Sequence, residues 1–487
     1  MSMERRESHK TNRFKPTPEP CSYGSFKGYV RLDRIDLAAS RYKTKKFKAL
    51  MPQLCVSNLR QAFRSLDGSK AIGIDQITKD EYAKNLEANL RKLEDEISRG
   101  GWHPKPAREV LIPKASGGTR PLAIGCLEDK IVQQLGAKIL EAIYENAFHR
   151  HSYGFRPKRN THQALARTYR VIEERSEQCV VVEMDIEKFF NSMDHDKLVD
   201  ILSQRIEDKH FLRLIKRMLR NSILSEEGEL RQNERGTPQG APISPILANI
   251  YLDACLDSWF EENWSEHAEM VRYADDAVFV FTDMDLATKF KSELSERFSN
   301  FKLKLNDDKS GILEFNKKTP KAEVQFLGFK LYWGIKNLGS TKRLLKVKTA
   351  PKKLGKSIEA FEVWIKSIRS KKTLDRIWLE VAQKLRGHYS YYGVSFNGPK
   401  LNHYYFQVTR ILFKWLNRRS QKRSFTWDGF AKRLMFKPLP RPTLGAKLID
   451  ITSGIVPELK RNMRSRMRKL RTYGSKRSPG FKTPVFT

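Results

Sequence analysis

The stretch Val180-Val-Val-Glu-Met-Asp185 is a β-branched apolar run that ends in an acid, and Tyr273-Ala-Asp-Asp276 places two more acids between apolar runs. The first pattern is typical of a buried strand, and the second of a hairpin with its acids near the turn. An acid at a strand end beside two acids at a hairpin tip predicts three carboxylates on one rigid sheet. We therefore expect an acidic site where the strand end meets the hairpin tip.

Three carboxylates in this arrangement are what a pair of Mg²⁺ ions requires for nucleotidyl transfer. One ion lowers the pKa of an attacking 3′-hydroxyl and the other binds the triphosphate, and the ions lie about 3.5–4 Å apart, so bridging acids are needed. The predicted metal site comprises Asp185, Ile186, Asp275 and Asp276, with Mn²⁺ as a substitute for Mg²⁺. For the tetrapeptide taken alone, an Asp-Asp pair that merely closes a turn is the simpler interpretation.

The charge of the chain indicates a polyanionic partner. Lysine and arginine number 92 against 56 aspartates and glutamates, which gives a formal net charge of +36. Such a charge attracts nucleic acid, and the cations are spread along the whole length, as suits a long groove. No segment is long and apolar enough to span a bilayer, so we expect no membrane partner.

The cysteines and the N-terminus indicate the compartment. The five cysteines are scattered and no two form a CxxC pair, so neither a disulfide framework nor a zinc knuckle is expected. Residues 1–19 lack the apolar core of a secretory signal. We therefore expect an intracellular, cytoplasmic protein that is associated with nucleic acid.

Composition and hydrophobic spacing divide the chain into four expected segments. Residues 1–50 are a polar N-terminal extension, and residues 51–345 alternate between helical and strand-like patterns. Long helical patterns succeed one another over residues 346–445, and residues 446–487 form a basic tail. A domain boundary is therefore expected near residue 345.

Several further blocks of the chain resemble the reverse transcriptases encoded by group II introns. Those blocks are Leu111–Leu122, Ser152–Pro157, Gly236–Asn249, Phe326–Phe329 and Leu385–Gly393. The resemblance implies an α+β right-hand polymerase, with fingers and an antiparallel palm sheet in the second segment and a helical thumb or maturase domain in the third. A bacterial source is expected as well. Because no cysteine occurs after Cys255, we expect no endonuclease domain with paired cysteines.

The resemblance assigns four residues to the incoming nucleotide. Lys114 and Arg120 flank a Gly-Gly turn and would bind the dNTP phosphates, although a solvated basic hairpin is the alternative. Phe190 would exclude a ribose 2′-hydroxyl, and the alternative is an ordinary core phenylalanine. Gln239 would hydrogen-bond the nucleotide or the template. Asn191 departs from the family pattern, which often has an acid at that position.

The remaining assignments concern catalysis and nucleic-acid binding. Lys309 joins Asp185, Asp275 and Asp276 in the expected catalytic set, since a lysine there would protonate the leaving pyrophosphate; a surface lysine is the alternative. Aromatic residues among cations suit stacking on RNA or a primer, although a helix-bundle core would use the same tyrosines. The expected RNA- and primer-binding residues are Tyr273, Gly328, Arg386, Tyr389, Arg418 and Arg419.

These expectations together describe an RNA-directed DNA polymerase that adds dNTPs to a primer on an RNA template. Its partners would be the RNA template, an intron RNA, a DNA primer or target and dNTPs, and it would assist intron splicing and mobility. One alternative is a related enzyme without an intron that acts in defence or DNA repair. Another is an RNA-binding splicing factor whose polymerase is vestigial, and the intact acids argue against it.

Overall fold

The computed structural model describes residues 26–113, 118–336, 340–419, 425–445 and 448. Lys114 and all of the expected basic tail except Leu448 therefore lie outside the described residues. The chain divides into two compact units, the first made of residues 1–164 and 175–327 and the second of residues 165–174 and 328–487. The second unit thus resumes at residue 328, while the four expected segments and the boundary near residue 345 stay predictions.

Part of the expected N-terminal extension is helical. Helix α1 spans Leu32–Arg41, and Leu32 and Ala39 are buried in the core of the first unit. The apolar positions Leu32, Ile35 and Ala39 have helical spacing. Because this pattern is short and lies among many cations, overall composition did not reveal it.

The first unit contains most of the helices. They are α1, α2 (Val56–Ser65), α3 (Lys79–Ala83), α4 (Leu86–Ser98), α5 (Leu127–Tyr144), α6 (Thr161–Glu174, which continues into the second unit), α7 (Phe189–Ser192), α8 (His195–Ser203), α9 (Lys209–Leu219), α10 (Ser244–Leu252), α11 (Ser258–Asn263) and α12 (Met284–Asn300). A short 3₁₀ helix spans Met51–Gln53, and a π-helical turn at Asp253–Asp257 joins α10 to α11.

Local chemistry explains where several of these helices begin. Asp208 caps α9 by accepting the N–H of Phe211, and it also accepts the N–H groups of Leu50 and Met51. Asp283 caps α12 in the same way through the N–H of Leu286. Such a cap satisfies a donor that has no partner within its own helix.

Two sheets form the rest of the first unit. Their strands are β1 (Ala107–Pro113), β2 (Thr119–Ile124), β3 (Val180–Met184), β4 (Ile223–Leu224), β5 (Leu230–Arg231), β6 (Glu269–Tyr273), β7 (Asp276–Phe281) and β8 (Ile312–Glu314). One sheet has the order β2-β1-β4-β5, and the other, the palm sheet, has the order β6-β7-β3-β8 with antiparallel neighbours throughout. A further strand, β9, spans Glu323–Phe326 at the end of the unit.

The palm sheet packs one face against helices, which fixes its position. Phe279 and Phe281 of β7 lie with their ring centroids 4.6 and 5.2 Å from that of Phe290 on α12, and all three side chains are fully buried. Because side chains alternate along a strand, Asp276 and Val278 point to the opposite face. The candidate site is therefore on the face away from these helices.

The second unit contains a hairpin and then a helical bundle. Its elements are β10 (Phe329–Ile335), β11 (Arg343–Thr349), α13 (Pro351–Ile368), α14 (Leu374–Tyr392), α15 (Gly398–Leu416) and α16 (Trp427–Phe436). In the bundle core the His388 ring stacks on Tyr404 with centroids 3.6 Å apart, and burial lowers the pKa of His388 to about 4. The expected α+β class and the long helices after residue 345 are confirmed.

The described part of the chain bears on the expected lack of a membrane-spanning helix and of a disulfide framework. No helix there is long and apolar enough to cross a membrane. Cys55, Cys126, Cys179 and Cys255 are free thiols, and Cys21 lies outside the described residues.

Candidate active site

The register of the palm sheet brings the three expected acids to one end of it. Met184 pairs with Ala277, so the next position of β3, Asp185, comes opposite Asp276. Tyr273 pairs with Asp276 across the hairpin, which leaves Asp275 within the turn. Asp185, Asp275 and Asp276 therefore lie together, as the sequence predicted.

The electrostatics of the three acids favour a bound cation. Burial, together with the negative charges of Asp275 and Asp185, raises the pKa of Asp276 to about 7. Burial and the charge of Asp185 also raise the pKa of Asp275. Both shifts mean that the anionic forms are poorly solvated and repel one another, and a divalent cation would relieve both effects.

The ligand atoms that these residues offer are oxygens, the type that a divalent cation such as Mg²⁺ binds. Carboxylate oxygens are what Mg²⁺ prefers, and Ile186 could add only its main-chain carbonyl. Among the residues that the structure describes, no three His, Cys, Asp or Glu side chains already form a metal-binding cluster. Instead Asp185 accepts hydrogen bonds from Asn306 Nδ2 at 3.0 Å and Lys309 Nζ at 2.9 Å, and Asp276 accepts the N–H of Leu327.

Arg272 supports the hairpin turn from inside the protein. It is fully buried, with its Nε 2.7 Å from Asp257 Oδ1 and its Nη2 donating to Asp257 Oδ2. Its Nη1 donates to Asn249 Oδ1 at 3.1 Å and to the carbonyl of Ala274 at 3.0 Å. Ala274 has a φ of 56°, a left-handed conformation that alanine rarely adopts. The guanidinium therefore fixes the turn that carries Asp275.

The block Ser152–Pro157 packs directly against this turn. A β-carbon at Gly154 would lie 2.3 Å from the Ala274 nitrogen, so only glycine fits there. The N–H of Tyr153 donates to the Arg272 carbonyl at 2.8 Å. A second buried ion pair, between Arg156 and Glu145 at 2.9 Å, holds the block in place.

The loop that begins at Gly236 joins the residues expected to contact a nucleotide. Gly236 has a φ of 74°, and a β-carbon there would lie 2.4 Å from the Phe190 carbonyl oxygen. The Phe190 side chain is half-buried and packs on Phe189 with ring centroids 5.6 Å apart. Asn191 Oδ1 accepts from Gln239 Nε2 at 3.3 Å, so the residue that departs from the family pattern orients the expected nucleotide-binding glutamine.

Two of the three basic residues expected at the site, Arg120 and Lys309, are among the described residues. Arg120 on β2 is exposed, and its charge partly opposes the rise in the pKa of Asp275, which places it near the acids. Lys309 is mostly exposed and lies against Asp185, beside the expected metal site. Lys114 lies outside the described residues, so its expected contact with the dNTP stays a prediction.

The expected nucleic-acid residues of the second unit differ in exposure. Arg386 and Arg418 are exposed, and Arg419 donates to the Lys372 carbonyl at 3.0 Å. Gly328 has a φ of 79°. Tyr389 is only 5% exposed and belongs to the bundle core, so the expectation that it binds RNA is wrong.

The physical reason for this correction is the helical periodicity of α14. Tyr389 comes after Leu385 and Val381 at intervals of four residues, and all three belong to one buried face. Tyr391 lies off that face and is 38% exposed. Tyr273, the other expected aromatic contact, is half-buried beside the acids.

Sequence reasoning did not identify the residues that support the acids. They are Asn249, Asp257 and Arg272. An arginine directly before Tyr273 in an otherwise apolar strand was a usable signal, because a charge there needs a buried partner. Nothing in the sequence pattern identified Asp257 as that partner.

Comparison with known proteins gives one family and several relatives. The family described as "Reverse transcriptase (RNA-dependent DNA polymerase)" matches residues 112–331. Protein YkfC of Escherichia coli K12 is 31% identical over 289 residues, which cover 52% of this chain and 74% of that protein. An uncharacterized 91 kDa protein in the cob intron of Schizosaccharomyces pombe is 46% identical over 162 residues, which cover 33% of this chain and 19% of that protein.

A third relative is the group II intron-encoded protein LtrA of Lactococcus lactis subsp. cremoris. It is 35% identical over 192 residues, which cover 39% of this chain and 31% of that protein. The similarity thus spans most of the E. coli relative and less than a third of each of the other two.

Removing the buried guanidinium should destabilise the first unit strongly. Arg272→Met leaves Asp257 as an uncompensated buried charge, and we expect a loss of about 3–5 kcal/mol in the free energy of unfolding, measured by urea denaturation. The double variant Arg272→Met/Asp257→Leu should regain most of that loss, because it removes both charges. A loss below about 1 kcal/mol in the single variant would contradict the importance of this pair.

Proposed function

The chain belongs to the group II intron family of reverse transcriptases and maturases, and on that basis we propose that it extends a primer 3′-hydroxyl with dNTPs on an RNA template. The observation that carries the proposal is the meeting of Asp185, Asp275 and Asp276 at one end of the palm sheet, with the pKa values of the last two raised. A site that disfavours its own negative charges is suited to a divalent metal ion and a triphosphate.

Each side chain has a part in the proposed reaction. Two Mg²⁺ ions, or Mn²⁺ in their place, would supply the Lewis acidity that activates the hydroxyl and stabilises the departing pyrophosphate. Asp185, Asp275, Asp276 and the Ile186 carbonyl would hold them. Lys309, whose Nζ lies 2.9 Å from Asp185 Oδ2, would protonate the leaving group.

The nucleotide would lie between the two sheets of the first unit. The N–H of Ala123 on β2 donates to the Gln239 carbonyl at 2.9 Å, and the N–H of Thr237 donates to the Phe190 carbonyl at 2.7 Å. The loop from Gly236 therefore connects β2, which carries Arg120, to the segment after β3. This arrangement lets Arg120 contact the phosphates while Phe190 contacts the sugar.

Binding of intron RNA, and with it splicing and mobility, is proposed for the second unit. Several cations surround the ring of Trp415, each within 6.0 Å of its centroid: Lys366, Arg369, Lys414 and Arg418. Glu362 accepts from Lys414 and from Trp415 Nε1, so one acid lies among these like charges. An RNA phosphate backbone would neutralise the remaining cations.

The alternatives predict different results with the same protein. A related enzyme without an intron would extend primers but bind intron RNA no better than other structured RNA. A vestigial polymerase would bind RNA and synthesise no DNA. The burial and mutual repulsion of Asp275 and Asp276 favour an active site over a vestigial one, because such an arrangement is costly to maintain without use.

Loss of one acid should stop DNA synthesis and leave RNA binding intact. Asp275→Ala and Asp276→Asn each remove a metal-binding oxygen or charge from the palm, whereas RNA affinity depends on the many cations elsewhere. Primer extension on an RNA template and filter binding of a long RNA measure the two properties. Asp285→Ala, which changes an exposed acid on α12, is the control. Near-normal extension by Asp275→Ala at saturating Mg²⁺ would refute the assignment.

Phe190 should select against ribonucleotides. Phe190→Val opens space where a 2′-hydroxyl would lie, so the ratio of ribonucleotide to deoxyribonucleotide incorporation should rise roughly tenfold or more. Phe189 is a core residue that is 2% exposed. Phe189→Val should therefore lower stability without changing the ratio. An unchanged ratio in Phe190→Val would assign discrimination to another residue.

Arg418 belongs to the cation cluster around Trp415 and Arg419 follows it directly in the sequence, and we expect these two charges to make RNA binding dependent on salt. Replacing Arg418 and Arg419 by glutamine should weaken binding and lower the slope of log K against log salt by up to about two. The matched variant with lysine at both positions keeps the charge and should keep the slope. Extension of short primed templates should continue in both variants. Equal slopes for wild type and the glutamine variant would exclude this surface from RNA binding.

A further inference from the structure

The face of the palm sheet that carries the acids is covered by strand β9. Val181 and Val278 lie on this face and are fully buried, and β9 packs against both β3 and β7. Glu183 occupies the same face of β3 between Val181 and Asp185, because side chains on one face recur every two residues. The carboxylate of Glu183 therefore lies beside the apolar side chains of Val181 and Val278 on the same face.

Two carboxylates of this face hold the backbone of β9 and the residue after it. Glu183 Oε1 accepts the N–H of Gln325 at 2.6 Å, and Asp276 accepts the N–H of Leu327. The two donors are two residues apart and so point to the same side of the chain. We call these two hydrogen bonds the carboxylate clasp.

The cost of keeping Glu183 here indicates a purpose beyond packing. Its side chain is half-buried, and the single hydrogen bond from Gln325 only partly replaces the water that would solvate a free carboxylate. An apolar side chain like that of Val181 would cover the face without desolvating a carboxylate. Leu327 adds to the cost, since its φ of 52° is a left-handed conformation that disfavours leucine.

We propose that Glu183 is a positioning residue for the primer end, and that the carboxylate clasp fixes the path of the backbone from Gln325 to Gly328. The inference rests on the proposed function, in which Asp276 binds metal, and on the expectation from the sequence that Gly328 contacts the primer. Asp276 can serve both purposes because a carboxylate has two oxygens with four acceptor positions. One side chain would thus join the metal site to the segment that holds the primer.

Replacement of Glu183 separates the hydrogen bond from the charge. Glu183→Met removes the acceptor, whereas Glu183→Gln keeps an acceptor oxygen in the same place. In Glu183→Met we expect kcat/KM for primer–template to fall roughly tenfold or more, while KM for the dNTP changes by less than about twofold. Glu183→Gln should recover most of the wild-type value. Glu187, an exposed acid beyond the end of β3, provides matched controls in Glu187→Met and Glu187→Gln.

A second variant tests the partner of this hydrogen bond. Gln325→Pro deletes the donor N–H, and the Gln325 side chain is exposed. If the clasp acts as proposed, Glu183→Met should lower kcat/KM no further when Gln325→Pro is already present. If Glu183→Met proves unstable, Gln325→Pro alone decides the matter, because it removes the same hydrogen bond and should lower kcat/KM for primer–template by a similar factor.

The outcomes distinguish the clasp from the proposed function. If the wild-type protein extends primers and Glu183→Met leaves kcat/KM for primer–template unchanged, the carboxylate clasp is overturned and the proposed function stands. Glu183 has a purely structural role if Glu183→Met lowers kcat/KM equally for primer–template and for the dNTP, lowers Tm, and is not rescued by Glu183→Gln. That result also overturns the carboxylate clasp. A wild-type protein that extends no primer overturns the proposed function itself.

Discussion

Arg272 places a positive charge inside the palm, where no water solvates it, and Asp257 neutralises that charge. Desolvating two ions is costly, so such a pair persists only when the remaining donors are also satisfied. Asn249 and the Ala274 carbonyl satisfy them. Since these groups come from α10, from the π-helical turn after it and from β6, the ion pair commits several elements to one arrangement around the catalytic turn.

Unlike the neutralised pair of Arg272 and Asp257, the acids at the end of the palm sheet repel one another. Asp275 and Asp276 are half-buried close to Asp185 without full compensation of their charges, and their pKa values are raised as a result. Rigid support behind the turn prevents the acids from moving apart to relieve this repulsion. The protein therefore retains electrostatic strain at the point where a cation and a triphosphate would bind, within a chain whose net charge is otherwise +36.

Sequence patterns predicted the features that depend on local order. The acids at a strand end and a hairpin tip, and the long helices after residue 345, are products of periodicity and turn chemistry. Partners distant in sequence could not be predicted in this way. Neither Asp257 as the partner of Arg272 nor Gln325 as the partner of Glu183 has a local signal, because both contacts arise only when the sheet and its covering segments assemble.

The π-helical turn at Asp253–Asp257 has a consequence for how this protein can change by insertion or deletion. A π turn contains one residue more than an α turn, and single π turns often occur at functional sites. Deleting one residue there would restore regular α-helix and rotate α11 by about 100° relative to α10. Asp257 would then leave Arg272, while α11 could continue undisturbed as a helix. This short segment should therefore tolerate substitution of the half-buried Ala254 far better than any change in its length.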